Sequence, residues 1–211
     1  MEPGDPTDLV RRGYDALSRT YEDAYPTATK YRPWLDDLTG RLRPDSTVVD
    51  LGCGCGVPVA LALTRAGHRV IGVDISAVQV ARARELVPGA EFRCADLATV
   101  DFDEAGLDAV VCLYALIHVP VQQHPTVLGR IARWLAPGGE LLCTLGATEW
   151  TGVQEDWLGG GLPMWWSHAD AATNRRWLAG AGLLVEHEEF VPEGDSGAVL
   201  FRARAGPPGR R

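Results

Sequence analysis

A doubly wound α/β fold, built on a mostly parallel sheet of seven strands, is predicted by three features of this chain. Short apolar runs alternate with helical patterns from residue 46 onward, as parallel strands and their crossover helices do. The first run, Val48-Val49-Asp50-Leu51, stops at Gly52-Cys53-Gly54-Cys55-Gly56. Such a turn ends a buried strand where a ligand can lie against bare backbone. The last two runs are joined only by Pro192-Glu193-Gly194-Asp195-Ser196-Gly197. A parallel return would need about a dozen residues, so these runs form an antiparallel hairpin.

The elements follow in order. Residues 8–42 carry one or two helices, with Tyr14 and Tyr21 on one face and Leu17 near it. Strand 47–51 precedes the glycines and helix 57–66 follows them. Val70-Ile71-Gly72-Val73-Asp74 marks a strand over 69–74, and Ser76 N-caps a helix over 76–87 that Pro88-Gly89 stops. Strands are expected at 90–94 and 108–113, then a helix at 121–136 closed by Pro137-Gly138-Gly139, then a strand at 140–146. A helix near 168–181 leads into the hairpin strands 183–190 and 197–204, and 206–211 reads as a disordered tail.

A length of 211 residues suits one domain with a small cap and allows a real core. The net charge of −8, from 28 acids and 20 bases, argues against nucleic-acid binding and fits a small molecule or a peptide better than a polynucleotide. Cys94, Cys112 and Cys143 read as apolar fillers of a sheet, and Cys53 and Cys55 lie in the glycine turn. No further Cys or His cluster completes a zinc set, so reduced thiols and no metal are expected. The acidic start is unlike a signal peptide, and no apolar run approaches the roughly 20 residues that span a bilayer. A cytoplasmic monomer or homodimer with no membrane partner is the expectation.

The acid Asp74, ending the second strand, is placed to take both hydroxyls of a ribose; the alternative is a capping acid beside Ser76. A dinucleotide fingerprint would put a small residue where Val57-Pro58 stands, and does not include Asp50. A carboxylate at Asp50 suits a cofactor with a cationic end, such as an amino-acid ammonium. No Gly-Lys-Ser/Thr follows the glycines, which excludes a phosphate loop.

These residues resemble motif I of the class I S-adenosylmethionine-dependent methyltransferases of small-molecule type, and the resemblance runs over about residues 10–204. It implies strand order 3-2-1-4-5-7-6 with the last strand antiparallel, an N-terminal helical lid over 1–45, and a Rossmann-like domain over 46–205. It also implies S-adenosylmethionine as cofactor. Gly52, Gly54 and Gly56 would then lie under the methionine and ribose, with Asp50 toward the ammonium, Asp74 on the ribose and Ile75 on the adenine. Cys94-Ala95-Asp96-Leu97 resembles the family's adenine-binding segment, which assigns Asp96 and Leu97; an ordinary loop acid is the alternative. Tyr14-Asp15 and Tyr21 match a family helix that covers the methionine end, though aromatic helix-to-sheet packing gives the same spacing. The Leu113 carbonyl would reach the ammonium, with Tyr114 and Leu116 lining the acceptor pocket.

S-adenosylmethionine carries its own electrophile, so the protein must align a nucleophile, exclude water and sometimes remove a proton. His118 is the first candidate base, since an ordinary imidazole titrates near pH 6.5; packing and loop anchoring are its other reading. His168, at an expected helix start, competes with it. Four of the seven tryptophans, Trp150, Trp157, Trp165 and Trp166, fall in a cap insertion near 147–170. They would wall a flat acceptor pocket, or else pack the cap on the sheet edge. O- or N-methylation of a small, aromatic molecule, in the manner of natural-product tailoring, is the resulting expectation. A C-methyltransferase, a non-catalytic cofactor-binding module, a cyclising enzyme and a NAD(P)-dependent reductase are the rivals.

Overall fold

The computed structural model describes residues 5–25, 27–193 and 196–206. Its centre is a seven-stranded sheet in the order β3-β2-β1-β4-β5-β9-β8. The strands are β1 Thr47–Leu51, β2 Arg69–Asp74, β3 Glu91–Cys94, β4 Leu107–Cys112, β5 Leu135–Gly146, β8 Leu183–Glu193 and β9 Ser196–Ala205. The first five pair in parallel, and β9 runs antiparallel to both β5 and β8. A separate two-stranded antiparallel sheet, β6 Trp150–Gln154 and β7 Met164–His168, interrupts the series. Without it the order is the expected 3-2-1-4-5-7-6.

Successive side chains of β1 point to opposite faces, so Val48 and Val49 enter different cores. On one face lie α2 Thr27–Arg41, α3 Val59–Arg65 and α4 Ala77–Leu86, with Leu38, Leu63 and Val80 against Val48, Val111 and Leu142. On the other lie α5 His124–Trp134 and α6 Ala171–Gly180, where Leu128, Ile131, Trp134 and Leu178 cover Val49, Val110, Leu141 and Phe201. Both faces of the parallel strands are therefore dry, which is why they read as unbroken apolar runs. The remaining helix, α1 Pro6–Ala24, crosses the carboxyl end of the sheet and packs Val10 on Trp157 and Met164 of the cap. Asp5 caps it through Thr7 N, and non-helical angles at Leu17 kink it.

Several boundaries move from expectation. The helix expected over 121–136 splits into a 3-10 turn, Val121–Gln123, and α5, with Pro125 in the first turn of the α-helix. His168 ends strand β7 instead of starting a helix, because Asp170 is the N-cap, accepting from Thr173 N at 2.7 Å. The cap is a paired hairpin, not a loop; its strands are short and flank Gly159-Gly160-Gly161, which hid them in the sequence. Cys94 is exposed and so does not fill the sheet, whereas Cys112 and Cys143 do. Gly206 N–H donates to Gly182 O, and the rest of the expected tail, 207–211, lies outside the described residues. Gly194 and Asp195, the centre of the last hairpin, also lie outside them. No described helix is long and apolar enough to cross a membrane.

Candidate functional site

Strand order reverses between β1 and β4, and a crevice opens beyond the carboxyl ends of the strands there. The glycine turn folds back on β2, with Gly52 N–H and Cys53 N–H both donating to Val73 O. Gly52, Gly54 and Gly56 all have positive φ (72°, 53° and 77°), a conformation costly for residues with a Cβ. At Gly52 a Cβ would also stand 2.2 Å from the Ala115 Cβ. At Gly54 it would project into space, with Gln79 Nε2 nearest at 4.0 Å. The bare face of this turn lines a cavity of about 250 Å³ with Asp74, Ile75, Asp96, Leu97, Leu113 and Tyr114.

Asp74 organises that cavity. One carboxylate oxygen accepts from Gly54 N at 2.8 Å and the other from Ser76 N at 2.9 Å. The capping and ligand readings of this acid are therefore compatible, since each oxygen keeps acceptor capacity for a further donor. Burial pushes its pKa up to about 6 against the pull of those backbone donors. Asp50 is 2% exposed, and its Oδ2 is buried without a hydrogen-bond partner. Burial, and then the charge of Asp74, push the Asp50 pKa up to about 8. It borders an adjoining cavity with Gly52, Gly54, Tyr21, Tyr31 and Leu113. Asp96 accepts from Ala98 N at 2.8 Å and lies on the cavity wall beside Leu97.

Helix α1 roofs the crevice with Val10, Tyr14 and Tyr21. Ser76 Oγ donates to Asp15 at 2.7 Å while accepting from Gln79 N, and Ser18 Oγ donates to Gln79 Oε1 at 2.8 Å. Arg82 adds bonds to Ser18 and Glu22. The roof is thus tied to α4, the helix that Asp74 introduces.

His118 sits where the crevice meets the cap. Its Nδ1 lies 2.8 Å from the carbonyl oxygen of Trp165, and its Nε2 lies 2.9 Å from the Tyr14 hydroxyl. A carbonyl can only accept, so Nδ1 carries the proton and Nε2 accepts from Tyr14. Burial lowers the His118 pKa to about 4, and burial likewise lifts that of Tyr14 well above its ordinary value. At neutral pH the pair is a neutral imidazole bonded to a neutral phenol.

Beyond this pair the space continues into an aromatic chamber. Its inner part is lined by Tyr14, Tyr21, Tyr25, Tyr31, Tyr114, Trp166 and His118, and its outer part by Tyr25, Tyr114, Ile117, Trp150, Trp166 and His168. Trp166 lies 4.5 Å from the His118 ring. Of the residues expected to wall an acceptor pocket, Tyr114, Trp150 and Trp166 line this chamber. Leu116 does not: it is 1% exposed and points into the core beneath α5, because a 3-10 turn over Leu116–His118 rotates it inward. Trp157 is buried between α1 and the cap against Tyr14 and Tyr21, and Trp165 packs in the same cluster. Both pack the cap on α1 and leave the chamber to Trp150 and Trp166. His168 faces the outer chamber, with Nδ1 2.6 Å from Thr148 O, away from the crevice where His118 stands. Lys30, Glu193, Tyr25 and Tyr31 were missed. The clustering of Tyr14, Tyr21, Tyr25, Tyr31 and Trp34 in one segment, with the chain's only lysine among them, was the available signal.

Residues 48–139 match the family described as methyltransferase domain. The chain is 30% identical over 154 residues to 27-O-demethylrifamycin SV methyltransferase of Amycolatopsis mediterranei, covering 63% of this chain and 56% of that protein. It is 37% identical over 128 residues to trans-aconitate 2-methyltransferase of Variovorax paradoxus, covering 60% and 47%. The chain thus spans about half the length of the curated relatives it matches. Among solved structures, the magnesium protoporphyrin IX methyltransferase of Synechocystis with bound SAM superposes with a TM-score of 0.74 at 21% identity, over 98% of this chain and all of that one. The 1,6-didemethyltoxoflavin-N1-methyltransferase of Burkholderia thailandensis, with its substrate and S-adenosylhomocysteine bound, gives 0.74 at 19% identity over 98% and 93%. Residues 48–139 thus match a methyltransferase domain, and the fold is the one seen in these S-adenosylmethionine-dependent methyltransferases of known structure.

Proposed function

We propose that the protein transfers a methyl group from S-adenosylmethionine to an oxygen or nitrogen of a small, flat molecule. The observation that carries this reading is the pair of joined spaces. A crevice with nucleoside-binding chemistry opens, past Tyr14 and His118, into a chamber walled by aromatic rings. The residues fit the cofactor. Asp74 has acceptor capacity for two ribose hydroxyls, and Asp96 stands beside Leu97 and Ile75, where an adenine amine needs an acceptor and its ring needs apolar faces. The unpartnered Asp50 oxygen supplies the negative end for an ammonium, with the Leu113 carbonyl as a further acceptor.

Bound there, the cofactor supplies a methyl on a positively charged sulfur, so the protein needs only to align the acceptor and manage a proton. Tyr14 and His118 stand at the junction of the two spaces. The Nε2 lone pair of His118, now taken by the Tyr14 hydroxyl, is the proton acceptor; when that phenol swings to the acceptor molecule, the imidazole can take its proton directly or through the phenol. Tyr114 and Trp166 hold the acceptor plane by stacking.

The test is calorimetric titration with S-adenosylhomocysteine, with NADPH as control. Micromolar binding of the first alone is expected; NADPH binding instead would overturn the reading in favour of a reductase. Asp74→Ala should lose that affinity, and unchanged affinity would overturn the ribose assignment.

A further inference from the structure

We propose that the acceptor is anionic, and that Lys30 holds its negative group at the outer end of the chamber. This rests on the methyltransferase reading and names the class of its acceptor. Lys30 is the only lysine of the chain; all other basic side chains except the histidines are arginines. It lines both the inner and the outer chamber, with its Nζ 4.5 Å from the Tyr114 ring centroid. Its present partner is Glu193, with Oε1 at 2.5 Å. The two side chains are 33% and 40% exposed, and an ion pair in such contact with water contributes little. A carboxylate ligand can therefore take the ammonium from Glu193 at small cost. The buried pair of Arg41 with Glu140, whose carboxylate is 7% exposed, is no such exchangeable contact.

Tyr114, beneath the ammonium, marks the same place independently. It has φ of 56°, an uncommon conformation for a bulky residue that ordinarily signals function. Its N–H donates to Thr144 Oγ1 at 2.6 Å and its ring stacks on Tyr31 at 5.9 Å, so the strained position is held from two sides. Its hydroxyl is buried against the same Glu193 carboxylate, so a ligand anion that displaces Glu193 meets both the Lys30 ammonium and this hydroxyl. Tyr114 lines all three spaces, while Lys30 lines only the two farther from the glycine turn. An acceptor anchored by its anion at Lys30 would lie along the Tyr114 ring with its other end toward Tyr14 and His118. The atom methylated is then not the anion itself.

The experiment titrates 2-naphthoate, and its neutral isostere 2-naphthamide, into the wild-type protein and into Lys30→Gln and Glu193→Gln, with and without S-adenosylhomocysteine. Naphthoate should bind the wild type in preference to naphthamide. Lys30→Gln should weaken naphthoate at least tenfold, Glu193→Gln should tighten it at least threefold, and neither should move naphthamide. The opposite signs separate ligand recognition from a structural ion pair, which would lose affinity equally from either side. Equal losses, preference for naphthamide, or no naphthoate binding would each overturn the proposal. Unchanged S-adenosylhomocysteine affinity in both variants reports intact folding. Its absence in the wild type would overturn the cofactor reading instead, and the naphthoate arm without it still decides this one.

Discussion

The crevice and the chamber meet at Tyr14 and His118, yet they are made of different material. Strand ends and backbone build the crevice: three glycines with positive φ, two acids ending adjacent strands, and N–H groups bonded to one of those acids. The chamber is assembled from rings on α1 and its end, α2, the segment just after β4 and a hairpin cap, elements far apart in the chain. Positions in the crevice are fixed by backbone hydrogen bonds and by positive-φ turns that favour glycine. Positions in the chamber are fixed by packing, where shape changes at modest cost. A binding site for a constant ligand can stand on the first kind of support, and a site for a particular acceptor on the second.

Four measurements press on that contrast. The largest effect is expected at Asp74. Replacement by alanine leaves Gly54 N–H and Ser76 N–H without this acceptor and removes the proposed ribose partner. S-adenosylhomocysteine should bind roughly a hundredfold more weakly, about 3 kcal/mol, with naphthoate unaffected. Next, His118→Ala should keep that binding within a few fold while turnover falls about a hundredfold. With a pKa near 4, His118 stays neutral above pH 6, so at saturating cofactor, which holds Asp50 and Asp74 ionised, wild-type turnover should be flat over pH 6–9 and fall toward pH 4. Full turnover of His118→Ala throughout that range would leave the residue a purely structural role.

Trp166→Ala should raise the acceptor KM about tenfold and leave cofactor affinity alone; a loss of both would mean that chamber and crevice do not act separately. The smallest signal is a proton. Asp50, with a pKa near 8, is mostly protonated at pH 7 in the ligand-free protein, and an ammonium beside it favours the ionised form. Binding of S-adenosylhomocysteine should release a fraction of one proton at pH 7 and less above pH 8, read as a heat that differs between phosphate and Tris buffers. Asp50→Asn should show no such difference. By the same sign, the native state holds a proton on Asp50 that the unfolded chain has lost. This group therefore stabilises the fold less as pH rises from 4 to 8.

The contrast also explains what could be read in advance. The sheet order, the reversed strand and the crevice acids were legible because each has a local signature: an apolar run, a turn residue, or an acid at a strand end. Leu116 and Trp157 lie away from the chamber they were expected to line, because composition places a residue near a site without giving its direction. A 3-10 turn decides the first, and the seating of α1 on the cap decides the second. Lys30 and Glu193 are 163 residues apart, and no local pattern announces their meeting. The fixed tautomer of His118 depends on the carbonyl of Trp165, a backbone group whose neighbour only the fold chooses.

The tether between α1 and α4 sets a clock. Tyr14 and Tyr21 lie across the crevice, and the helix that carries them is fastened through Asp15 to Ser76 and through Ser18 to Gln79. Under the proposed cofactor reading, a nucleoside beneath that helix would be released faster when these bonds open, a local unfolding event. Residence time would then depend on Ser76, which bonds Asp15 of α1 with its side chain and Asp74 with its backbone.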